Sequence, residues 1–423
     1  MGSAMHALAA ELYPICRSIT GQGVRQTLAH LARRIPLQVH EIPTGTPVFD
    51  WTIPKEWNIR DAYIADRHGN RIVDFRRSNL HVLHYSVPVR ATMSLDELQS
   101  HLFTIPEHPD WIPYRTSYYR EAWGFCLSHN QLLAMDSGPY EVCIDSSLQQ
   151  GHLTYGEYRI AGESEQEVLI SCHICHPSLA NDNLSGIAVA VFLAQHLSHL
   201  ALRYSYRFLF IPGTIGAIAW LARNQQHARA IRHGLVLTCV GDAGGFTYKK
   251  SRRGDAEIDR AAALVLKSSG SAYQIQEFVP YGYDERQYCS PGFNLPVGCL
   301  MRSPWGQFPE YHTSADNLEF IQPLQLAGAL RLVVEILNVL ENNRAYQNTM
   351  PYCEPQLGKR NLYRSTGGSD IGTENLARLW LLNLSDGGHT LLDIAERSGI
   401  PFATLREAAE TLQAHGLLQP LMR

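Results

Sequence analysis

Short apolar runs alternate with longer segments of helical periodicity between about residues 150 and 345, and this alternation limits the possible folds more than any other feature of the chain. The apolar runs predict strands at 167–172, 205–211, 234–240, 274–279 and 295–301. The helical segments are 184–199, 214–226, 259–268 and 324–342. Strands that alternate with helices usually pair in parallel, with the helices packed over the sheet. The pattern therefore predicts the α/β class, with helices on both faces of a mixed, largely parallel sheet.

Two further segments have a different character. Residues 45–150 are rich in Trp, Tyr, Pro and short β-type runs, which indicates a β-rich domain inserted into the larger one. From about residue 374, helix, glycine-containing turn, helix and a short β-type end follow one another, as in a winged helix-turn-helix. We expect three domains: 1–44 together with 151–350, the inserted 45–150, and 360–423.

A winged helix either binds DNA or serves as a compact docking domain. Its last predicted helix carries Arg406, but Glu407 and Glu410 lie beside it, so the basic surface that DNA binding requires is missing. The sequence therefore favours a structural or partner-binding role, and the net charge of −4 argues against a nucleic acid as the main partner.

The composition gives expectations about location. No apolar run reaches the roughly 20 residues that cross a bilayer, and the first residues lack the basic and apolar regions of a signal peptide. The nine cysteines are scattered without the spacing of a disulfide framework, which suits a reducing compartment. We expect a cytoplasmic protein with no membrane partner, and a homo-oligomer is left open.

The run 171–186 concentrates the side chains that bind metals. It places His173 and Asp182 between an apolar strand and a long helix, where ligands gather at the carboxyl ends of strands. Cys172–His176 also spells C-x-x-C-H, the pattern of c-type haem attachment, but that chemistry occurs outside the cytosol. Two later positions offer further ligands after strands or before helices, although Asp242 could be a turn residue and His312 could simply start a helix.

At these residues the chain resembles the zinc aminopeptidase and glutaminyl-cyclase superfamily, in particular a bacterial aminopeptidase-like branch with a nested β domain and a C-terminal winged helix. Asn181–Gly186 is similar to the superfamily signature Asp-Asp-Asn-x-Ser-Gly, whose second acidic position bridges two metals. The resemblance implies a zinc-exopeptidase-like sheet and one or two zinc ions. The ligands it implies are His173, Asp182, Asp242 and His312.

One position departs from that superfamily. A Glu-Glu pair follows its central strand, the first as general base and the second as metal ligand, whereas this chain has Gly213 and Thr214 there. Losing a positioned base typically costs about 10²–10⁴-fold in rate. Glu285 and Glu310 are the candidates to replace it, although either could be a solvated loop acid or a partner of Arg286. A gap at Gly213 would admit a bulkier substrate, and Gly213→Glu should then raise hydrolysis.

Substrate contacts are predicted from residues near these loops. The candidates are Tyr118, Tyr119, Arg120, Arg286 and His176, with the arginines as carboxylate clamps. Aromatic residues more often fill cores, so the aromatic candidates have a structural alternative. The main hypothesis is a zinc-dependent, aminopeptidase-like enzyme acting on an amide bond of a small peptide or amino-acid derivative. The alternatives are an amide-forming or acyl-transfer step in small-molecule biosynthesis, or a catalytically silent protein that binds a peptide or metal.

Overall fold

A computed structural model describes residues 1–362 and 372–421 of the chain. The chain divides into two compact units. The first comprises Met1–Ala256 and Ser271–Arg331, and the second comprises Glu257–Gly270 and Leu332–Arg423. The three predicted domain boundaries stay a prediction, and residues 363–371, 422 and 423 of the predicted last domain lie outside the described residues.

Strands and helices alternate through most of the chain. The strands are β1 (Gln38–Pro43), β2 (Pro47–Val48), β3 (Trp51–Thr52), β4 (Glu56–Ala65), β5 (Arg71–Asp74), β6 (Val89–Met93), β7 (Leu102–Phe103), β8 (Phe125–Cys126), β9 (Tyr140–Gln149), β10 (His152–Ile160), β11 (Ser164–His173), β12 (Tyr204–Ile211), β13 (Ile231–Leu237), β14 (Phe246–Lys249), β15 (Tyr273–Gln276), β16 (Val297–Met301), β17 (Ala345–Asn348), β18 (Asp386–Thr390) and β19 (Leu418–Pro420). The helices are α1 (Gly2–Leu12), α2 (Gln22–Ala32), α3 (Leu95–Leu98), α4 (His129–Leu133), α5 (Gly186–Leu197), α6 (Ile215–Arg223), α7 (Glu257–Ser268), α8 (Glu285–Tyr288), α9 (Pro323–Asn342), α10 (Thr373–Leu384), α11 (Leu391–Ser398) and α12 (Phe402–Ala414).

The first unit is built on an eight-stranded sheet in the order β1-β10-β12-β11-β13-β16-β14-β15. Pairing is parallel across β12, β11, β13 and β16, and antiparallel where β10 meets β1 and β12. Every residue of β12 is buried, as expected for a strand covered on both faces. The predicted mixed α/β sheet is confirmed, and the ends of β11, β12 and β13 share one edge.

Helices cover both faces of this sheet. A Cβ added at Gly156 of β10 would overlap Leu28 of α2. Its neighbour Tyr155 hydrogen-bonds with Asn224, at the end of α6. Since adjacent side chains of a strand point to opposite faces, α2 and α6 lie on opposite sides. The apolar helix α5 packs against β11, β12 and β13.

The segment expected to be β-rich forms a four-stranded antiparallel sheet, β5-β4-β9-β6, within the first unit. The loop before β8 contacts the loop that carries His312. There Pro113 bridges Thr313, and the backbone N–H of Tyr114 donates to the carbonyl oxygen of His312 at 2.8 Å. This long connection therefore holds the 112–119 loop against the loop that carries His312.

The described part of the second unit contains α7, α10, α11 and α12 and an antiparallel sheet in the order β18-β17-β19. Thr390 caps α11 in a reciprocal capping box with Asp393, and Gly399 ends that helix in the left-handed conformation. Arg406 lies 3.5 Å from Glu410, so the predicted last helix pairs its arginine internally. These elements have the order that the sequence predicts for a winged helix-turn-helix.

One sequence expectation about membranes needs correction. The helix α9 is long and apolar enough on average, by length and composition, to cross a bilayer, although polar residues interrupt it and it is not a continuous apolar run. Half of that window is buried inside the protein. Core helices of soluble proteins satisfy the same test, and α9 therefore carries no argument for a membrane location.

His233 of β13 offers a test of the buried sheet. It is 1% exposed, and neither ring nitrogen has a hydrogen-bond partner among the described residues. Burial lowers the pKa of His233 to about 3, whereas an unfolded histidine titrates near 6.5. The unfolded chain therefore takes up this proton more readily. Stability is lost as the pH falls below about 6.5, and the loss grows until about pH 3.

We expect His233→Phe, which keeps a ring against Tyr204, to remove this acid sensitivity. Between pH 7 and pH 4 the free energy of unfolding should fall by about 3 kcal/mol less in the variant than in the natural chain. Urea unfolding at both pH values, with a chelator present, measures the difference. An equal fall in both proteins would show that His233 is not held neutral in the folded state.

Candidate metal centre and substrate cavity

The conformation of the 181–186 loop is fixed by its own polar side chains. The Asn183 amide donates to the carbonyl oxygen of Leu237 at 3.1 Å, and the Ser185 hydroxyl donates to the carbonyl oxygen of Asn181 at 2.6 Å. The Ser185 hydroxyl oxygen also accepts from the N–H of Val240 at 3.0 Å. These bonds satisfy buried backbone groups where β11 and β13 end, so the motif holds these two strand ends together.

Asp182 lies at the centre of a histidine cluster. Its side chain is 1% exposed. Its Oδ1 lies 2.7 Å from Nε2 of His173, and its Oδ2 lies 3.0 Å from Nε2 of His312. Although burial alone would raise it, the pKa of Asp182 is held well below its usual range by His176 and His173. The carboxylate is therefore ionised at neutral pH.

His176 belongs to the same cluster, although the sequence predicts it as a substrate contact. Its Nδ1 lies 3.7 Å from Oδ1 of Asp182 and is buried without a hydrogen-bond partner among the described residues. Burial lowers the pKa of His176 well below its ordinary value, although the Asp182 carboxylate acts in the opposite direction. Ligand atoms of His173, His176 and Asp182 all lie within 4.8 Å of one another. An imidazole with an unused nitrogen beside a carboxylate suits a divalent cation.

Asp316 holds the backbone that carries Asp182. Its carboxylate accepts from the N–H groups of Asn181 at 2.5 Å and Asp182 at 3.0 Å. Through these two hydrogen bonds Asp316 positions the main chain of Asp182. Burial raises the pKa of Asp316 to about 8.

Asp242 lies next to this loop, but both of its oxygens have partners. Oδ1 accepts from the Ser303 hydroxyl and the Gly244 N–H, each at 2.7 Å. Oδ2 accepts from the Asn181 amide at 2.8 Å and the Ser303 N–H at 3.3 Å. In this arrangement Asp242 braces Asn181, and its predicted role as a ligand is not tested by these contacts.

Gly213 does not leave an open space, and the predicted gap is wrong. The ring of Tyr283 lies where a side chain at 213 would project, and an added Cβ would overlap it. The same ring tilts against His173 with 3.9 Å between centroids. Its hydroxyl lies 3.2 Å from Sγ of Cys175 and donates to the carbonyl oxygen of Gly213 at 3.4 Å. Gly213→Glu would therefore meet Tyr283 and cannot simply restore a base.

The two predicted replacement acids do not line the cavity beside the cluster. Glu285 is buried, and its carboxylate accepts from Nζ of Lys249 at 2.8 Å and from the Tyr283 N–H at 3.0 Å. Glu310 is half-buried, and its backbone carbonyl accepts from Thr313. The Lys249–Glu285 pair thus anchors the loop that presents Tyr283, while the proposed catalytic roles of both acids stay predictions.

A cavity of about 290 Å³ opens beside the cluster. Of the predicted substrate residues, Tyr118, Tyr119 and His176 line it. Arg120 lines a neighbouring cavity that also touches Tyr119, and Arg286 is exposed on α8. The full wall consists of Ile19, Trp51, Tyr114, Arg115, Thr116, Tyr118, Tyr119, His176, Gly213, Thr214, Ile215, Ile218, Tyr283 and His312.

Several wall residues were not predicted as site residues, among them Tyr283, Tyr114 and Arg115. Tyr114 presents its ring edge-on to His176 and His312, with 5.3 and 5.1 Å between centroids. Arg115 follows it at the mouth. Tyr114 and Arg115 lie in an aromatic stretch whose residues could fill either the core or a cavity. The bridge between Pro113 and Thr313, a long-range contact, places them at the cavity.

Comparison with known proteins defines the relationships of the chain. The family described as "Domain of unknown function (DUF4910)" matches residues 6–343, and a winged helix-turn-helix family matches residues 344–420. A relative from Clostridium acetobutylicum, named for polysaccharide biosynthesis and an aminopeptidase-like domain, is 53% identical over 419 residues, 99% of this chain and 96% of its own length.

Solved structures agree with this relationship. A crystal structure from Clostridium acetobutylicum aligns over 99% of this chain and 96% of its own, at 52% identity and a TM-score of 0.95. The zinc aminopeptidase of Bacillus subtilis aligns over 80% of this chain and 94% of its own, at 12% identity and a TM-score of 0.57. The latter likeness concerns the fold alone. The predicted zinc-exopeptidase-like fold and C-terminal winged helix are confirmed.

The contact between Gly213 and Tyr283 can be tested by a double-mutant cycle. We expect Gly213→Ala to lower the free energy of unfolding by about 1–3 kcal/mol, because the added methyl group overpacks the Tyr283 ring. In a Tyr283→Ala background the same substitution should cost little. Gly292→Ala is the matched control, since its Cβ would meet open space. Equal costs for Gly213→Ala in both backgrounds would contradict this packing.

Proposed function

The chain belongs to the family described as "Domain of unknown function (DUF4910)", and we propose that it is a metal-dependent, aminopeptidase-like enzyme acting on an amide bond of a small molecule. The observation that carries this proposal is the buried cluster of His173, His176 and Asp182, which adjoins an aromatic-walled cavity. The cluster lies where ligands bind in open α/β sheets, beyond the carboxyl ends of strands. A purely structural cluster would not need an unpaired imidazole nitrogen beside a buried carboxylate.

Zinc fits this donor set. Two imidazoles and one carboxylate of the 173–182 loop, with His312 on the second carboxylate oxygen, are borderline ligands of the kind that zinc prefers. Zinc bound there would polarise an amide carbonyl and activate water. We propose one principal ion held by His173, His176 and Asp182, because Asp242 is fully engaged elsewhere and Thr214 replaces the remaining acidic ligand of the superfamily pattern.

The residues of the chain determine what else the site can do. Asp316 and Asn183 fix the loop that carries Asp182 before any substrate binds. The ring of Tyr283 fills the space into which a side chain at position 213 would project, and its hydroxyl donates to the carbonyl oxygen of Gly213. Burial raises the pKa of Tyr283 well above its usual value, so it is a neutral donor and not a carboxylate base. Hydrolysis should therefore be about 10²–10⁴-fold slower than in enzymes that retain the base.

A second candidate function is an amide-forming or acyl-transfer step in polysaccharide biosynthesis. Its support is that no aspartate or glutamate lines the cavity among the described residues, so a water-activating base is lacking there. The name of the Clostridium relative points to the same area of metabolism. A cytoplasmic location would suit either role.

The proposed metal set predicts how two aspartate variants differ. The purified chain should carry about one equivalent of zinc by elemental analysis. Asp182→Asn and, as a second variant, His173→Gln should lose it. Asp242→Asn should keep the metal but unfold at a lower temperature, because the amide that replaces one oxygen breaks part of the brace with Ser303 and Gly244. Loss of metal in folded Asp242→Asn would instead make Asp242 a ligand.

The proposed activity predicts slow amide turnover that depends on the same cluster. We expect the zinc-loaded chain to release amine from a panel of small amides, with the rate abolished in Asp182→Asn and restored by adding zinc to the chelator-treated natural chain. Thermal unfolding of each sample controls for misfolding. A fully metallated chain that turns over no amide, yet joins an activated acyl donor to an amine, would favour the biosynthetic alternative. Metal without any turnover would favour a binding protein.

A further inference from the structure

The charge of the cavity wall limits what the proposed enzyme can bind, and this inference rests on the proposed function. Arg115 is the one permanently charged side chain among the described residues of the wall, and none of them is acidic. The remaining polar side chains of the wall are those of threonine, tyrosine, histidine and tryptophan. The only permanent charge that the described wall residues offer a ligand is therefore positive.

Arg115 is placed to bind an anion. Its guanidinium lies 5.1 Å from the ring centroid of Phe103, and no carboxylate of the described chain is within ion-pair distance of it. It is exposed at the cavity mouth. An unpaired guanidinium on an aromatic ring keeps a fork of donors for a carboxylate or phosphate.

A second positive charge lies behind the cavity. Arg17 is 0% exposed, and its Nε donates to the carbonyl oxygen of His176 at 2.8 Å. Its Nη2 has no hydrogen-bond partner, and no carboxylate pairs with it, within the described ranges 1–362 and 372–421. Arg17 and Arg115 thus place two guanidinium groups near the cavity, while the carboxylate of the adjoining cluster, Asp182, is buried against His173 and His312.

A free amino terminus finds no matching group in this wall. Binding an ammonium ion in a partly closed site requires a carboxylate or several free acceptors. No carboxylate is among the described wall residues, and that of Asp182 in the adjoining cluster is buried and already contacts His173 and His312. The same site accepts an acylated nitrogen without that cost, because a secondary amide is neutral.

We propose that the cavity takes a small N-acylated anion, with its carboxylate or phosphate at Arg115 and its amide against the His173–His176–Asp182 cluster, in place of a peptide with a free amino terminus. The volume of about 290 Å³ suits a molecule of amino-acid or monosaccharide size. Apolar walls from Ile19, Ile215 and Ile218 surround its body. In the hydrolytic reaction water adds across the C–N bond. The acyl carbon gains the oxygen and leaves as a carboxylate, and the nitrogen gains a proton and leaves as an amine.

Four probes separate the features of this substrate. N-acetyl-leucine is acylated and anionic, leucinamide has a free amine, and N-acetyl-leucinamide is acylated but neutral. N-acetylglucosamine 1-phosphate carries phosphate in place of carboxylate. Binding to the zinc-loaded full chain is measured by calorimetry, and amine release is measured separately. We expect one or both acylated anions to bind at least tenfold more tightly than leucinamide and N-acetyl-leucinamide, and the stronger of the two identifies the anionic group.

Arginine variants test the placement of the anion. Arg115→Ala should weaken binding of the preferred anion roughly 10- to 100-fold and leave N-acetyl-leucinamide unchanged, while Arg115→Lys should retain part of the preference. Arg60→Ala is the matched control, an exposed arginine of the same unit that pairs with Asp145. Unchanged binding of the anion by folded Arg115→Ala would overturn the assignment of this residue.

The failure of this inference differs from the failure of the proposed function. Tighter binding and faster turnover of leucinamide than of either acylated anion would overturn the inference while the enzyme proposal stands. Selective, Arg115-dependent binding of an acylated anion without any amide turnover would support the inference and remove the hydrolytic function. Binding of no probe would overturn the inference, whatever the turnover.

Discussion

The Asp182 carboxylate is the interaction on which the rest of the site depends. An ionised carboxylate that is 1% exposed loses its hydration, and this cost is recovered only through close charged or hydrogen-bonding partners. His173 and His312 reach its two oxygens, and Asp316 holds the adjoining main chain. Because these partners come from distant parts of the chain, the sheet edge, the 181–186 loop and the 312–316 loop must all be in place together. A divalent ion in the cluster would add positive charge beside this buried carboxylate.

Two acidic residues that the sequence suggests as site residues, Asp242 and Glu285, form hydrogen bonds and an ion pair that hold neighbouring loops. Asp242 braces Asn181 through a carboxylate whose two oxygens each accept two bonds. Glu285 forms a buried pair with Lys249, whose Nζ also donates to the carbonyl oxygen of Tyr281 at 2.6 Å. Removing one partner of such a pair leaves an uncompensated charge, so the pair fixes the loop from Tyr281 to Glu285. The pair therefore fixes the position of Tyr283, whose ring fills the space into which a side chain at position 213 would project.

The sequence predicted local features well and long-range contacts poorly. Periodicity located the strand ending at His173 and the helix following Gly186, because these depend on neighbours along the chain. It could not show that Tyr283 fills the space beside Gly213, seventy positions away in a different loop. Nor could it show that His176 turns toward Asp182, since the strand alternation that places His173 ends there. Its apolar-run criterion also overlooked α9, where scattered polar residues interrupt a helix that is apolar on average.

The exchange at positions 213 and 214 changes the charge of the site as well as its chemistry. The superfamily pattern puts two glutamates there, and this chain has a glycine and a threonine. Tyr283 fills the volume but brings no charge, so the cavity loses two negative charges that would stand close to the cluster. At short range in a partly closed cavity such charges repel anions strongly. Under the proposed function, the same substitution would remove a water-activating base and allow an anionic ligand near His173, His176 and Asp182, with Arg115 and Arg17 acting in the same direction. A change in substrate charge and a change in catalytic power would then have one structural origin.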